Sequence, residues 1–316
     1  MTQAPSPEFV LVRGAEPLPP AFTRPVVAIG NFDGVHRGHR AVFDTARAMA
    51  REAKVAALAL TFEPHPRTFF NPANAPFRLT PEAAKLRHIA ESGLDGAIVL
   101  PFDAALASLE AETFVRQVLV ERYHVTGVAV GFDFHFGRAR AGSPAFLEDA
   151  GRRHGFKVQV VEPMRDEGDA ISSTAIRKAL AAGQVGHAGH MLGRPFAVEA
   201  QVIHGDKRGR TIGFPTANLA LPEDLDLAFG IYAVKARTPL GQFGGVANYG
   251  RRPTFDNGRA LLEVHLFDFA GDLYGQTLEV EFHAYIRPEL KFDGINALVA
   301  QIRLDAHQAR EVLAKL

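Results

Sequence analysis

Val26-Val27-Ala28-Ile29-Gly30-Asn31-Phe32-Asp33-Gly34-Val35-His36-Arg37-Gly38-His39 is the stretch that decides the fold. Four apolar residues lead into a glycine-rich turn. A helical pattern follows, with apolar residues at Val42, Phe43, Ala46, Met49 and Ala50. The reading is strand, tight turn, helix. Backbone N–H groups at such a helix start point outward, and the helix dipole favours anions there. The glycines let a phosphate approach the backbone closely. His36 and His39 add imidazole groups at the same spot, so the segment reads as a phosphate site around a His-x-Gly-His core. It is neither a Walker A loop nor a dinucleotide fingerprint, since it lacks Gly-Lys-Ser/Thr and Gly-x-Gly-x-x-Gly. The plainer alternative is a tight βα turn with two surface histidines.

Working outward, strand patterns at 26–29, 55–62, 96–101, 126–132 and 157–161 alternate with helical patterns near 39–53, 81–92, 110–123 and 143–154. Such alternation predicts a parallel, Rossmann-like α/β sheet with helices on both faces. Ligands of such sheets bind outside the carboxyl ends of the strands. Three unusual loops fall there: Gly30 to Asp33, Glu63-Pro64-His65-Pro66-Arg67, and Gly131 to Arg138. They predict one crevice. In the last loop Phe132, Phe134 and Phe136 alternate with Asp133 and His135. That pattern suits either a planar ligand stacked on rings or a strand end with one buried face.

Beyond a helix at 174–183 the hydrophobic period changes to two. Runs at 197–204, 230–238, 242–248, 259–268 and 276–286 predict a β-sandwich or closed barrel, with a helix from about 294 to the end. The expected division is 1–186 and 187–316. At 316 residues, two domains are the natural prior.

Composition bounds the partners. The chain is 47% hydrophobic and 22% charged, with zero formal net charge. General attraction to nucleic acid or membrane has no support. Zero Cys excludes disulfides, thiolate catalysis and Cys-ligated zinc and fits a cytoplasmic protein. The N-terminus lacks a signal-peptide pattern, and no apolar run approaches a membrane span.

Three further motifs carry chemistry. Ser172, Ser173 and Thr174 can cap a helix with Arg177 one turn inside, which is either a second anion site or an ordinary capped helix. Gly205, Gly209 and Gly213, with Lys207 among them, suit a loop wrapping a phosphate, and Pro215-Thr216-Ala217-Asn218 follows directly. On an extended segment Thr216 and Asn218 face the same way, where two neutral oxygens could hold Mg²⁺ with nucleotide phosphates, or simply satisfy backbone groups of a hairpin. In Leu262-Glu263-Val264-His265-Leu266, Glu263 and His265 share the polar face. A strand carboxylate there can serve as general base or as half of a surface ion pair.

His-x-Gly-His in this setting resembles the nucleotidyltransferase superfamily. The run Gly30 to His39 is similar to the N-terminal module of bacterial bifunctional riboflavin kinase/FAD synthetases. Gly205 to Asn218, Glu263 to Asp268 and Tyr285 to Asp293 resemble the riboflavin kinase module, and the likeness spans about residues 8 to 310. The resemblance implies adenylylation of FMN by ATP in the first module and phosphorylation of riboflavin by ATP in the second. Gly30, Asn31, Phe32, Asp33, Gly34, Ser172, Ser173 and Thr174 would line ATP, with His36, His39 and Arg177 stabilising the reacting phosphates. Pro64, His65, Phe132, Asp133, Phe134 and Phe136 would face the flavin. In the second module Glu263 would be the base, Thr216 and Asn218 the Mg²⁺ ligands, and Arg287 a flavin or phosphate contact. The implied partners are riboflavin, FMN, FAD and ATP, with no nucleic acid or membrane, and a monomer or weak homo-oligomer. Family members more often have Ser where Gly294 stands.

Overall fold

The computed structural model describes residues 9–166, 168–205, 208–251 and 260–316, apart from the side chains of Arg208 and Thr211. Lys207 lies outside the described residues. Two compact units divide between Ser173 and Thr174.

The first unit is built on β1 (Val10–Arg13), β2 (Val26–Ile29), β3 (Ala57–Glu63), β4 (Gly96–Pro101), β5 (Gly127–Gly131) and β6 (Lys157–Val161). The sheet order is β1-β4-β3-β2-β5-β6, and every pairing is parallel. β2 lies between β3 and β5, so the chain reverses its winding direction there. This is the switch point at which open α/β sheets bind ligands.

The helices are α1 (Arg37–Ala53), α2 (Pro66–Phe70), α3 (Glu82–Glu91), α4 (Ala104–Ser108), α5 (Ala111–Phe114) and α6 (Pro144–His154); α5 continues as a π-type turn over Val115–Arg122. β2 is buried along its whole length because helices cover both faces. Val26 and Ala28 join a core with Val42, Phe43, Ala46 and Ile89 from α1 and α3. Val27 and Ile29 join the opposite core with Phe114, Leu147 and Ala150 from α5 and α6. The edge strand β1 is absent from the sequence reading. Its four residues bury one position fully, so the periodic signal there is short. A two-stranded ribbon, β7 (Arg165–Asp166) and β8 (Asp169–Ala170), follows the sheet.

The second unit contains α7 (Ser173–Ala181), whose first residue precedes the division, and α8 (Val185–Leu192). Then come β9 (Phe196–Ile203), the short α9 (Arg208–Thr211), β10 (Ala217–Ala220), β11 (Gly230–Thr238), β12 (Gly241–Arg251), β13 (Ala260–Leu266), β14 (Thr277–Arg287) and α10 (Ile295–Leu313). β9 to β14 close a barrel in the order β10-β13-β12-β11-β14-β9, so the closed alternative holds. Phe196, Tyr232, Leu278, Val280 and Phe282 are buried. α10 seats Ala306 and Ala309 against Ala233, Val246 and Phe267.

The division at 173/174 precedes the expected 186/187. The helices between those positions belong to the barrel: the Ala228 amide donates to the Leu180 carbonyl at 3.1 Å, and Gly183 lies against the Tyr285 ring.

Candidate active sites

The loop after β2 is held from beneath by residues far along the chain. The buried Asp33 carboxylate accepts hydrogen bonds from the Leu79 and Thr80 amides at 3.3 and 3.1 Å, and the Thr80 hydroxyl donates to it at 3.4 Å. The Gly34 amide donates to Thr80 Oγ1 at 2.9 Å. Asp33 and Gly34, expected at the phosphates, therefore bind the 79–80 segment. Ser173 donates its hydroxyl to the Asp33 carbonyl at 2.9 Å, which ties the start of α7 to this loop.

Phe32 and Val35 have φ of 50° and 41°, a left-handed conformation that is costly for a β-branched residue. Burial holds them: Phe32 packs on Phe43 and on the His39 ring, with centroids 4.6 and 5.3 Å away. His36 caps α1, its Nδ1 accepting from the His39 amide at 3.3 Å. The two imidazoles stack at 3.5 Å. Gly38 leaves room for the His36 ring, since a Cβ there would lie 3.2 Å from it.

Beneath the loop lies a charge cluster that the sequence reading missed. Lys85 is 1% exposed; its Nζ sits 2.6 Å from Glu63 Oε1 and donates to Thr61 Oγ1 at 3.2 Å, with the Asn31 and Phe62 carbonyls at 3.5 and 3.4 Å. Arg78 grips Glu63 with both nitrogens at 2.7 and 2.8 Å. Burial alone would raise the Glu63 carboxyl, but the Arg78 hydrogen bonds and the Lys85 charge outweigh it and hold the group below its ordinary range. Burial pushes the Lys85 ammonium down against the pull of Glu63. A buried charge persists only when paired in this way. The available signals were faint: Glu63 ends an apolar strand, and Lys85 sits four residues before Ile89 on the buried side of α3.

The two flanking loops divide the expected flavin residues. The Glu63–Pro64 peptide is cis, and His65 Nδ1 caps α2 by accepting from the Arg67 amide at 3.1 Å. Phe132 is 46% exposed, and Asp133 is exposed beside it. Phe134 stacks on Phe136, and Phe136 is buried against Phe114 and Phe146. Phe136 is thus a core residue while Phe132, of the same parity, is exposed, because β5 ends at Gly131 and the run beyond it does not alternate as a strand. Ser172 belongs to this unit, whereas Thr174 and Arg177 fall in the second.

In the barrel the candidate residues form a row. Asn218 on β10 pairs with Glu263 on β13, and Glu263 pairs with Asn248 on β12. Their neighbours Leu219, Leu262, Val264, Ala247 and Tyr249 are buried, so the three polar side chains share the opposite face. Asn218 is 5% exposed, and its Oδ1 has no hydrogen-bond partner among the described residues. His265 Nδ1 lies 2.9 Å from the Pro215 carbonyl, which fixes the chain just before Thr216.

Gly205 seats the Asn218 amide, because a Cβ there would lie 2.3 Å from Nδ2. Gly209, within α9, closely approaches the Phe214 carbonyl, and Gly213 has a φ of 86°. Arg287 forms a bidentate pair with the buried Asp305 at 2.8 and 2.6 Å, so its fork joins β14 to α10.

Residues 19–175 match the FAD synthetase family, and residues 192–313 match the riboflavin kinase family. A bifunctional riboflavin kinase/FMN adenylyltransferase of Haemophilus influenzae is 44% identical, covering 90% of this chain and 92% of its own. Its namesake in Escherichia coli K12 is 43% identical with the same coverage, and that of Listeria monocytogenes is 39% identical over 92% and 93%. A solved structure from Streptococcus pneumoniae, described as a macrolide-efflux protein, is 32% identical with a TM-score of 0.87, covering 96% of this chain and 99% of that one. No helix among the described residues is long and apolar enough to cross a membrane. With both family matches in order along one chain and relatives covered nearly end to end, the protein belongs to the bifunctional riboflavin kinase/FMN adenylyltransferases.

Proposed function

We propose that the barrel carries the kinase step on Glu263 and that the parallel-sheet unit carries adenylylation around His36 and His39. In the first step the riboflavin 5′-hydroxyl attacks the γ-phosphorus of ATP, its proton passes to a Glu263 oxygen, and ADP leaves. In the second, an FMN phosphate oxygen attacks the α-phosphorus of another ATP and pyrophosphate leaves. The protein's task in both is positioning and charge stabilisation.

One observation carries the kinase half: a buried amide oxygen on Asn218, without a partner among the described residues, stands in register with a carboxylate on the next strand. A buried acceptor left unmatched is costly and implies a ligand. Oxygen donors suit a hard cation, so Asn218 and Thr216 fit Mg²⁺, which when bound offsets phosphate charge. Glu263 then accepts the hydroxyl proton.

The adenylylation half rests on the stacked His36 and His39 at the first turn of α1, at the switch point of the sheet. Both imidazoles can donate to phosphate oxygens, and Ser172 supplies a hydroxyl, while the Ser173 hydroxyl holds the Asp33 carbonyl. Phe132 and Pro64 remain the flavin-facing candidates. The absence of Cys and the use of ATP favour a cytoplasmic location.

The test mixes purified protein with riboflavin, ATP and Mg²⁺ and follows flavins by chromatography with fluorescence detection. FMN appears first and FAD later. Conversion to FMN alone, with added FMN also inert, would remove the adenylylation assignment. Flavin bound but unconverted would point to a binding protein.

A further inference from the structure

Asn248 was not singled out by any motif, yet it completes the row on the barrel. It pairs in register with Glu263, and its Nδ2 lies 3.5 Å from Glu263 Oε2. A second carboxylate reaches the same amide from the segment after β14: Glu289 interacts with the Asn248 side chain. Glu289 lies over the bare Cα of Gly250, two residues along β12, where a Cβ would come within 2.1 Å of its Oε1. Burial, and then the nearby Glu263 charge, push the Glu289 carboxyl above its ordinary range. Asn248 Oδ1 is itself buried and without a partner among the described residues.

Two carboxylates thus converge on one amide. A carboxylate on a strand can swing about its χ angles, and a general base works only when one lone pair is aimed at the proton it takes. An amide N–H₂ between two carboxylates removes that freedom, because each hydrogen can hold one oxygen. The rigid β12–β13 pairing sets the amide's place, and the missing side chain at Gly250 lets Glu289 reach it.

Resting on the kinase reading, we propose that Asn248 is the positioning residue of the phosphorylation step: its side-chain amide, fixed by Glu289, orients the Glu263 carboxylate toward the riboflavin hydroxyl. It touches the base rather than the reacting atoms. Asn248 sits on the strand preceding Glu263, outside the Pro-Thr-Ala-Asn segment that supplies the cation ligands.

The experiment measures riboflavin phosphorylation with Mg²⁺-ATP for wild type, Asn248→Ala, Asn248→Asp, Glu263→Gln and the double variant Asn248→Ala/Glu263→Gln, with thermal unfolding followed in parallel. Asn248→Ala lowers kcat about 10- to 100-fold, the usual cost of slight misplacement, while KM for riboflavin stays within about twofold. Asn248→Asp, which keeps the shape and loses the donor, shows the same loss and serves if the alanine variant unfolds. In the Glu263→Gln background the further loss from Asn248→Ala shrinks to less than about twofold, since residues acting as a unit are not additive. An unchanged kcat in both Asn248 variants overturns the proposal. So does a raised KM with kcat intact, or an equal loss in both backgrounds. A Glu263→Gln enzyme with full kinase rate would instead remove the general-base reading beneath it, and the positioning role with it.

Discussion

The two units assemble their chemistry in opposite ways. In the parallel-sheet unit the side chains proposed to act are close in sequence: His36 and His39 lie at the start of one helix, reached from one strand. What is remote is the support, since Thr80 and Lys85 come from another segment to hold the loop, and Arg78 holds the Glu63 that pairs with Lys85. In the barrel the support is chiefly the strand ladder, and the groups proposed to act are remote from one another in sequence. Asn218, Asn248 and Glu263 meet only because the strands are in register. A local motif needs long-range anchoring to keep a strained loop in place. A row across strands is placed by backbone pairing, with Glu289 the one remote side chain that steadies it, and a slip of one residue would turn every side chain to the other face.

This contrast can be broken at the barrel first. Glu263→Gln lowers riboflavin phosphorylation about 10²- to 10⁴-fold, the worth of a general base, and leaves adenylylation of supplied FMN unchanged in a direct assay. Equal loss of both activities would mean the sites are not separate. In the other unit His36→Ala lowers adenylylation about 10²-fold or more, as removal of a transition-state donor does, with riboflavin phosphorylation intact. Because His36 also caps α1, the same variant loses about 1 kcal/mol of stability, read as a lower denaturant midpoint.

The anchoring itself is the next target. Glu63→Gln leaves Lys85 buried beside a neutral group and costs about 3 kcal/mol, the lower part of the range for a broken buried pair, measured by urea unfolding. The sign with pH follows from the depressed Glu63 carboxyl. Its contribution is complete above the ordinary carboxylate range near pH ~4.3 and is lost as pH falls through the lower folded value. The wild-type minus Glu63→Gln stability difference therefore narrows toward acid; a constant difference would dissociate the cluster from stability.

Asp33→Asn weakens the clasp on Leu79 and Thr80 by about 1–3 kcal/mol, because buried donors lose an acceptor. Slower adenylylation should accompany it, checked against unfolding midpoints. The smallest effect belongs to the surface. Glu112 is flanked by Arg153 and His154, which hold its carboxyl down to about 2. Being almost half exposed, it is strongly screened, and Glu112→Gln changes stability by less than about 1 kcal/mol.

The amino-acid sequence by itself determined the principal elements and their kind, though not the short β1, α2 and α4 or the β7–β8 ribbon. Apolar runs bounded by Gly and Pro marked β2, β4 and β6, and helical spacing marked α1, because hydrophobic period is a local property of the chain. It also marked the His36–His39 turn, whose parts are contiguous. Phe136 and Arg287 show the limit. Both are plausible ligand contacts by type and position, yet one is buried among Phe114 and Phe146 and the other is committed to Asp305.

Which face of an alternating segment turns inward, and which cation finds which carboxylate, depend on what the rest of the chain packs against it. The same holds for the Glu63–Lys85–Arg78 cluster and for Asn248 beside Glu263. Burial and register join residues tens of positions apart, and only the tertiary structure decides those partners.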